Sequence, residues 1–201
     1  MEGPWSYGEP ARGQGERTDL SAAKAAIDAG HTDHEVAQQH FAVWCKHYRA
    51  FDRYRRTFAL RALRDRAHPE VRIFWGATST GKSHRAFTEA AADAYWWSPP
   101  SHANGPLWFD GYEQQEDIII DDFDGASIPI SFLLRFLDRY PLLLPVKGGF
   151  AYNFFKRVFI TSNLAPESWY PELAGTDRRR AALERRFTLV AHMSVVYNPN
   201  P

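Results

Sequence analysis

The spacing of apolar residues along this chain changes at Pro69. Upstream of Pro69, apolar and aromatic residues recur every three or four positions, as one face of an α-helix requires. Downstream, short β-branched and aromatic runs alternate with helical stretches, which is typical of an α/β domain built around a parallel sheet. We therefore predict a small helical domain over residues 18–68 and an α/β domain over residues 69–201.

The upstream pattern contains start and stop signals for helices. A first helix is expected to begin at Thr18 and to end before Gly30, because glycine commonly terminates a helix. Thr32 and Glu35 have the spacing of a capping box, in which each side chain binds a backbone N–H at the start of a helix. Aromatic residues then recur at helical spacing, so the second helix is predicted to continue to Ala67. The residues of this aromatic pattern are Phe41, Trp44, Tyr48, Phe51 and Phe58.

Three apolar runs in the downstream part predict buried strands, at residues 71–75, 118–120 and 158–160. The middle run consists of three isoleucines without polar alternation, so it suits a central strand of a parallel sheet. Residues 131–140 are predicted to form a helix that ends at Pro141, because their apolar positions have helical spacing.

Composition limits the classes of protein to consider. Lys+Arg and Asp+Glu balance at 24 each, so a nucleic-acid-binding surface would have to be a local patch. The single cysteine, Cys45, excludes an internal disulfide and is expected to be buried beside Trp44. No run approaches the roughly 20 apolar residues of a membrane span, and no signal-peptide pattern is found, so we expect a soluble intracellular protein without a membrane partner. Residues 1–17 are rich in Gly, Pro and charge, which predicts a linker or tail.

One motif predicts that the chain binds a nucleoside triphosphate. It is the loop formed by Gly76, Ala77, Thr78, Ser79, Thr80, Gly81, Lys82 and Ser83. The loop follows a predicted strand and precedes a helical pattern, which is the context of a P-loop. Backbone N–H groups of such a loop surround a phosphate, and its glycines supply the space and the positive φ angles required. Lys82 is then predicted to bind the β- and γ-phosphates and Ser83 to bind Mg²⁺.

Polar residues follow two of the predicted strands and complete the candidate site. Asp121 and Asp122 come directly after residues 118–120, and Asn163 follows residues 158–160. Asp121 is predicted to hold Mg²⁺ through water, and Asp122 to orient and polarise the attacking water. Asn163 is predicted to contact the γ-phosphate or that water. Taken alone, an acidic pair is more often a solvated turn, and an asparagine a turn or a helix cap.

The order of these motifs resembles the superfamily 3 helicase domain of the replication-associated (Rep) proteins of circular single-stranded DNA viruses, circovirus-like ones in particular. The segments that carry the likeness are Trp108–Tyr112, Ile120–Phe123, Asp138–Pro141, Val146–Gly149, Ile160–Asn163 and Leu183–Phe187. The start of the chain also resembles the stretch that joins nuclease and helicase in this family. The likeness therefore covers nearly the whole chain.

The resemblance implies an AAA+-like P-loop ATPase core over residues 69–201, preceded by an oligomerisation domain over residues 18–68. It implies a homo-oligomeric ring, expected to be a hexamer, that encircles single-stranded DNA and hydrolyses ATP with Mg²⁺ to move 3′-to-5′. Arg185, with Arg186 as its neighbour, matches the family's arginine finger, which an adjacent subunit supplies; the nearby run Arg178–Arg180 is more often a solvated turn but could compete for this role. A viral protein of this kind would work in the host nucleus, and a plasmid relative in the bacterial cytoplasm.

Two local features bear on DNA binding. The stretch Lys46–Arg66 carries eight basic residues against two acidic ones, and could face DNA or a neighbouring subunit, although a solvated helix face is the commoner explanation. The second feature combines flexible glycines with cations and an aromatic ring, as a pore hairpin gripping single-stranded DNA would. Its residues are Lys147, Gly148, Gly149, Phe150 and Lys156.

One departure from the family pattern matters. The His-hydrophobe-His and Tyr-x-x-Lys motifs of the family's nuclease do not occur, so we expect no nicking activity from this chain. Two other functions remain open: a nucleotide-gated oligomeric DNA-binding module that does not unwind DNA, and a P-loop kinase. DNA-stimulated ATP turnover would separate the three functions.

Overall fold

The computed structural model describes residues 18–63, 66–100, 105–173 and 177–197. It divides into two compact units, the first ending at Thr57 and the second beginning at Phe58. The predicted tail over residues 1–17 lies outside the described residues. The predicted boundary between an oligomerisation domain ending at residue 68 and an ATPase domain beginning at residue 69 stays a prediction. None of the described helices is both long enough and apolar enough to cross a lipid bilayer.

Three helices open the described chain: α1 (Thr18–Asp28), α2 (Asp33–Gln39) and α3 (Phe41–Leu63). The predicted capping box is present, because the Thr32 hydroxyl accepts a hydrogen bond from the Glu35 N–H (3.2 Å) and the Glu35 carboxylate accepts one from the Thr32 N–H (2.7 Å). The buried apolar side chains of the first unit are Ala23, Ala26, Ile27, Val36, Val43 and Phe51. Cys45, predicted to be buried, is exposed, since Val43 takes the core position in its turn.

The helix predicted to run from Thr32 to Ala67 is broken at His40. The φ of −132° and ψ of 40° at this residue are not helical. After the break, the Trp44 indole N–H of α3 donates a hydrogen bond to the Asp33 carboxylate at the start of α2 (3.0 Å). Nothing in the apolar spacing marks this break.

The second unit is built on strands. They are β1 (Glu70–Trp75), β2 (Tyr95–Trp97), β3 (Asp117–Ile120), β4 (Leu143–Val146), β5 (Gly149–Tyr152), β6 (Arg157–Ser162) and β7 (Leu189–His192). Five of them form a sheet in the order β2-β3-β6-β1-β7, in which every neighbouring pair is parallel. β4 and β5 form a separate antiparallel hairpin. The three strands predicted from apolar runs, β1, β3 and β6, are the central strands of the sheet.

Helices cover both faces of this sheet. They are α4 (Lys82–Glu89), α5 (Ile130–Phe136) and α6 (Arg178–Glu184). Because side chains alternate along a strand, Phe74 packs with Ala86 of α4 on one face, whereas Ile73 belongs to the larger core that includes Leu133 of α5 and Leu183 of α6. This arrangement confirms the predicted α/β class with a parallel central sheet flanked by helices.

α5 is shorter than the helix predicted over residues 131–140, because it ends at Phe136. The Asp138 carboxylate accepts hydrogen bonds from the Arg139 N–H (2.8 Å) and from the Arg186 guanidinium (2.6 Å). These bonds hold the chain in a turn where the apolar pattern predicted a further helical turn.

The parallel order places chemically different residues at the two edges of the sheet. The P-loop, the Asp121–Asp122 pair and Asn163 follow β1, β3 and β6, so they meet at the edge formed by the carboxyl ends of these strands. The opposite edge, at the amino ends, carries Asp117 and Arg157. The carboxyl edge is therefore the candidate site.

Candidate nucleotide site

The P-loop joins β1 to α4 through a backbone that an anion can approach. Gly76, Ser79 and Gly81 have positive φ angles of 149°, 65° and 81°. Gly81 is the N-cap of α4 and brings no side chain to bind the first N–H groups of the helix. These N–H groups have no partner within the helix, and with the helix dipole they favour a negative charge. A phosphate group fits this arrangement.

Lys82 is folded back into the loop. Its ammonium donates hydrogen bonds to the Ala77 carbonyl (2.8 Å) and to the Asn163 side-chain oxygen (3.0 Å). Burial lowers the pKa of Lys82, and the nearby Asp122 and Asp121 carboxylates partly offset this effect. The cation is thus held between the P-loop and the end of β6, at the place where a bound phosphate would need it.

Two hydroxyl groups converge on Asp121. Ser83 Oγ and Thr161 Oγ1 each donate a hydrogen bond to Asp121 Oδ1, at 2.7 and 2.8 Å. The Ser83 hydroxyl and the Asp121 carboxylate are hard oxygen ligands of the kind that Mg²⁺ takes, one or two at a time, together with phosphate oxygens and water. The donor set therefore fits the predicted magnesium site.

Asp122 is held in the left-handed conformation, which is uncommon for residues other than glycine. Its φ is 53°, in the left-handed region, which costs a non-glycine residue on the order of 1 kcal/mol or more. Two bonds fix it there: the Asp122 N–H donates to Thr161 Oγ1 (2.8 Å), and Asn163 Nδ2 donates to the Asp122 carboxylate (2.9 Å). Backbone strain of this kind is typical of positions where a side chain is aimed for function.

The predicted residues of the P-loop, Asp121, Asp122 and Asn163 are thus brought together. All but Gly76, Ala77 and Thr80 line one cleft of about 580 Å³, whose lining residues are Thr78, Ser79, Gly81, Lys82, Ser83, His84, Asp121, Asp122, Thr161, Asn163 and Tyr197. Three of these lining residues, His84, Thr161 and Tyr197, were not predicted as site residues. Thr161 could have been found, because the period-two alternation of a strand puts it on the same side as Asn163.

The predicted DNA-binding residues lie mainly on the β4–β5 hairpin, away from the cleft. Lys147 and Gly148 form its two-residue turn between the paired residues Val146 and Gly149, and Gly148 has a φ of 89°. The Lys147 ammonium lies 3.3 Å from the Asp110 carboxylate, which also accepts a hydrogen bond from the Lys147 N–H (2.6 Å).

The two remaining members of the DNA-binding set differ in their surroundings. The Phe150 side chain on β5 is 53% exposed, so the hairpin presents both a cation and an aromatic ring to solvent. Lys156 does not lie at the turn. It precedes β6 at the amino edge of the sheet, where its ammonium pairs with the Glu116 carboxylate (2.5 Å).

Arg185 and Arg186 lie at neither the cleft nor the hairpin. They precede β7, whose amino end is at the edge of the sheet opposite the P-loop. Arg186 is tied to its own unit through the Asp138 carboxylate (2.6 Å) and the Ala182 carbonyl. Arg185 is exposed, and its guanidinium makes no hydrogen bond or ion pair with the described residues, although its backbone N–H donates to the Ala181 carbonyl.

The basic stretch Lys46–Arg66 crosses both units and is only partly described. Within the first unit, Arg55 donates to the His31 carbonyl and Arg56 pairs with Asp52. Within the second unit, Arg66 donates to the Asn153 carbonyl and side chain, at 2.7 and 3.0 Å. These three cations have partners in the protein, while the side chains of Arg61 and Arg64 lie outside the described residues.

Comparison with known proteins identifies relatives. Residues 72–164 match a protein-family model described as RNA helicase. The replication-associated protein of Human associated cyclovirus 1 is 37% identical over 153 residues, covering 75% of this chain and 54% of that protein. The replication-associated protein of Porcine circovirus 2 is 34% identical over 163 residues, covering 81% of this chain and 50% of that protein.

A third relative, the replication-associated protein of Beak and feather disease virus, is 34% identical over 171 residues and covers 85% of this chain and 54% of its own length. The chain thus spans about half the length of the curated relatives it matches. Among solved structures, it resembles a chain of the S. cerevisiae Hsp104-ADP complex with a TM-score of 0.42 and 12% identity, covering 71% of this chain and 27% of that one. Similarity at that level carries no functional information.

Proposed function

This chain belongs to the helicase-domain family of circovirus-like replication-associated proteins, and from that premise we propose that it is an ATP-driven DNA helicase motor. It binds ATP and Mg²⁺ in the cleft at the carboxyl edge of its sheet, assembles into a homo-oligomeric ring, and moves along single-stranded DNA. In a replication-associated protein this motor would serve rolling-circle replication. The 3′-to-5′ direction, the hexameric state and work in a host nucleus rest on the resemblance to viral Rep proteins.

The observation that carries the proposal is the continuous set of hydrogen bonds from the P-loop to the ends of β3 and β6. Lys82 bonds Asn163, and Asn163 bonds Asp122. The second branch runs from Ser83 to Asp121. Nucleotide hydrolysis needs a cation for the phosphates, oxygen ligands for a metal and a base for water within one cleft, and this set supplies all three.

Each residue then has one task. Lys82 balances charge on the β- and γ-phosphates. Ser83 and Asp121 would hold Mg²⁺, which neutralises charge that develops on the phosphate oxygens. Asp122 accepts a hydrogen bond from the attacking water and takes its proton as the bond to phosphorus forms. Asn163 contacts both Lys82 and Asp122, so a change at the γ-phosphate alters its partners and can be passed to β6.

A second subunit is needed to complete this site. The six residues of β1 span roughly 20 Å, which is more than an arginine side chain can reach, so Arg185 cannot contact the P-loop of its own chain. Its exposed guanidinium has no partner among the described residues, so it suits a finger that stabilises transition-state charge in a neighbouring site. Arg186 is occupied by Asp138 and is better explained as a support of the segment that carries Arg185.

ATP turnover in the presence and absence of single-stranded DNA, together with strand displacement from a forked duplex, tests the proposal. A motor shows ATP turnover that rises with DNA and displaces a strand. Binding of DNA with little turnover would instead support the passive module. Turnover that requires a small-molecule acceptor and ignores DNA would support the kinase.

Mixed rings test the arginine finger. Lys82→Ala and Arg185→Ala proteins should each be inactive alone, the latter by on the order of 10³-fold, whereas mixing them should restore part of the ATP turnover. Restoration follows because some interfaces then combine an intact P-loop with an intact finger. Arg178→Ala is the matched control, since Arg178 is exposed on the adjacent α6, and it should remain active. Full activity of Arg185→Ala alone, or no restoration in rings that exchange subunits, would remove Arg185 from the site.

A further inference from the structure

A pair of stacked aromatic rings forms part of the nucleotide cleft and has no task in the hydrolysis described above. The rings of His84 and Tyr197 lie 4.5 Å apart between centroids, with an angle of 27° between their planes. Both residues line the cleft. The Tyr197 side chain is still 38% exposed, so part of its surface is free to bind a further planar group.

Tyr197 is fixed in this position through the P-loop itself. The segment after β7 is fastened first where the Met193 N–H donates to the Trp75 carbonyl (2.7 Å), and again where the Tyr197 N–H donates to the Ser79 carbonyl (2.9 Å). A Cβ atom at Gly81 would lie 2.9 Å from Tyr197 Cβ, so the tyrosine occupies the space left by the missing side chain. The backbone and Cβ of Tyr197 are therefore anchored at the P-loop before any nucleotide arrives.

The strand order shows which end of a nucleotide would meet these rings. β1, which leads into the P-loop, lies between β6 on one side and β7 on the other. Asp121, Asp122 and Asn163 follow β3 and β6, so the γ-phosphate belongs on that side. Tyr197 follows β7, on the opposite side of the P-loop. A triphosphate bound with its γ end at the acids must direct its nucleoside end towards β7.

We propose that His84 and Tyr197 form the nucleobase subsite of the cleft, on which the base of the bound nucleoside triphosphate stacks. This inference rests on the proposed nucleotide-binding function. It assigns a binding site to the base, which the P-loop does not contact. Stacking on aromatic rings accepts any base, because every base has a π-face, and its strength grows with the area of overlap. The subsite therefore favours purine over pyrimidine nucleotides without strict selection between adenine and guanine.

The experiment compares two ligands that share the triphosphate and differ in the base. Binding of AMP-PNP and of inorganic tripolyphosphate, each with Mg²⁺, is measured by calorimetry for the unaltered chain and for Tyr197→Leu. Leucine keeps apolar bulk against Gly81 and the backbone bond to Ser79, but it removes the π-face. AMP-PNP affinity should fall about fivefold or more, the lower bound expected for loss of one base stack, while tripolyphosphate affinity stays unchanged.

Two further variants serve as controls. Tyr197→Phe keeps the ring and should bind AMP-PNP as the unaltered chain does. Phe87→Ala removes an exposed ring on the same helix, α4, which contacts Trp96 (6.2 Å between centroids) and does not line the cleft. It should leave both affinities unchanged.

The possible outcomes are distinct. If Tyr197→Leu lost affinity for AMP-PNP and for tripolyphosphate equally, the segment after β7 would only shape the P-loop, and the proposed subsite would be overturned. Unchanged affinity for both ligands would also overturn it, since the rings would then serve packing alone. If the unaltered chain bound neither ligand, the proposed nucleotide function would fail, and this inference with it. If it bound tripolyphosphate as tightly as AMP-PNP, only the base subsite would fail.

Discussion

The two ends of β3 carry the same residue type in opposite situations. At the amino end, Asp117 is 3% exposed and forms a two-pronged ion pair with the Arg157 guanidinium, and it also accepts the Ala91 N–H (2.7 Å). Just beyond the carboxyl end, Asp121 accepts hydrogen bonds from two hydroxyl groups, those of Ser83 and Thr161. The first carboxylate is neutralised by a cation, whereas the second is oriented by neutral donors.

The same difference in the partners of the acidic residues is found along both edges of the sheet. On the amino side, Lys156 pairs with Glu116, and Arg186 with Asp138. Burial alone would raise the pKa of Asp138, but the hydrogen bonds from Arg186 and from the backbone lower it. On the carboxyl side, the acids accept hydrogen bonds from hydroxyl and amide groups, and the nearby Lys82 ammonium bonds the Ala77 carbonyl and Asn163 instead of either carboxylate. Charge that a cation has already neutralised serves stability, and charge held by neutral groups remains available to a metal or a water molecule.

Of the changes that test this comparison, Asp122→Asn should have the largest effect, and that effect is on ATP turnover. The amide keeps the size of the side chain and can still accept the Asn163 N–H, but it cannot take a proton from water. We expect ATP turnover to fall by about 10² to 10⁴, the usual contribution of a general base, with nucleotide affinity unchanged. Single-turnover hydrolysis and equilibrium binding of nucleotide measure the two quantities separately. A parallel loss of affinity would contradict the role given to Asp122.

Asp117→Asn is the matched change at the other edge, and it should alter stability instead of chemistry. It leaves the Arg157 guanidinium, whose side chain is 34% exposed, without its anion. Breaking such a pair costs about 3 kcal/mol when it is largely buried. The free energy of unfolding in urea, followed by tryptophan fluorescence, should fall towards that amount, while turnover per folded molecule stays the same. A loss of turnover at unchanged stability would show that the amino edge takes part in the chemistry.

Thr161→Val should have an intermediate effect and would sharpen the contrast. The change removes the hydroxyl that donates to Asp121 and accepts from the Asp122 N–H, at nearly constant volume. Loss of a group that orients a metal ligand commonly costs 10- to 100-fold in metal affinity or activity, so the Mg²⁺ concentration for half-maximal turnover should rise by about that factor. Thr161→Ser restores the hydroxyl and should recover most of it. A Thr161→Val protein whose Mg²⁺ requirement is unchanged would leave Thr161 with a packing role only.

Lys147→Ala should have the smallest effect of the four changes, and it lies in the β4–β5 hairpin and at neither edge of the sheet. The Lys147–Asp110 pair is exposed, so it is worth little and can exchange its carboxylate for a DNA phosphate. Removing one phosphate contact should lower the slope of log K against log salt for single-stranded DNA by about 0.7. ATP turnover without DNA should persist. An unchanged slope would show that the hairpin turn does not bind DNA, and Lys156→Ala tests in the same titration whether contacts extend beyond the turn.

The sequence predicted the parts of this molecule that have a local signal. Runs of β-branched residues marked the central strands, and the P-loop spacing marked its own strand-loop-helix context. β7 was not predicted, although Leu189, Val190 and Ala191 form a short apolar run; the strand lies at the edge of the sheet and is mostly exposed. Tyr197 was also missed, because its place beside the P-loop depends on the pairing of β7 with β1, which no local spacing encodes. The Asp117–Arg157 pair likewise joins residues of two separate strands.

The glycines of the P-loop have a consequence for mutational tolerance. A Cβ atom at Gly76 would lie 2.2 Å from the Met193 carbonyl oxygen, and one at Gly81 would collide with Tyr197. Both positions are therefore closed to larger residues by the chain segment after β7, independently of any phosphate. A substitution scan of the loop would read out this intramolecular contact as well as ligand binding. Loss of function at Gly76 or Gly81 is consequently no proof of a phosphate contact, and protein abundance has to be scored beside activity at these two positions.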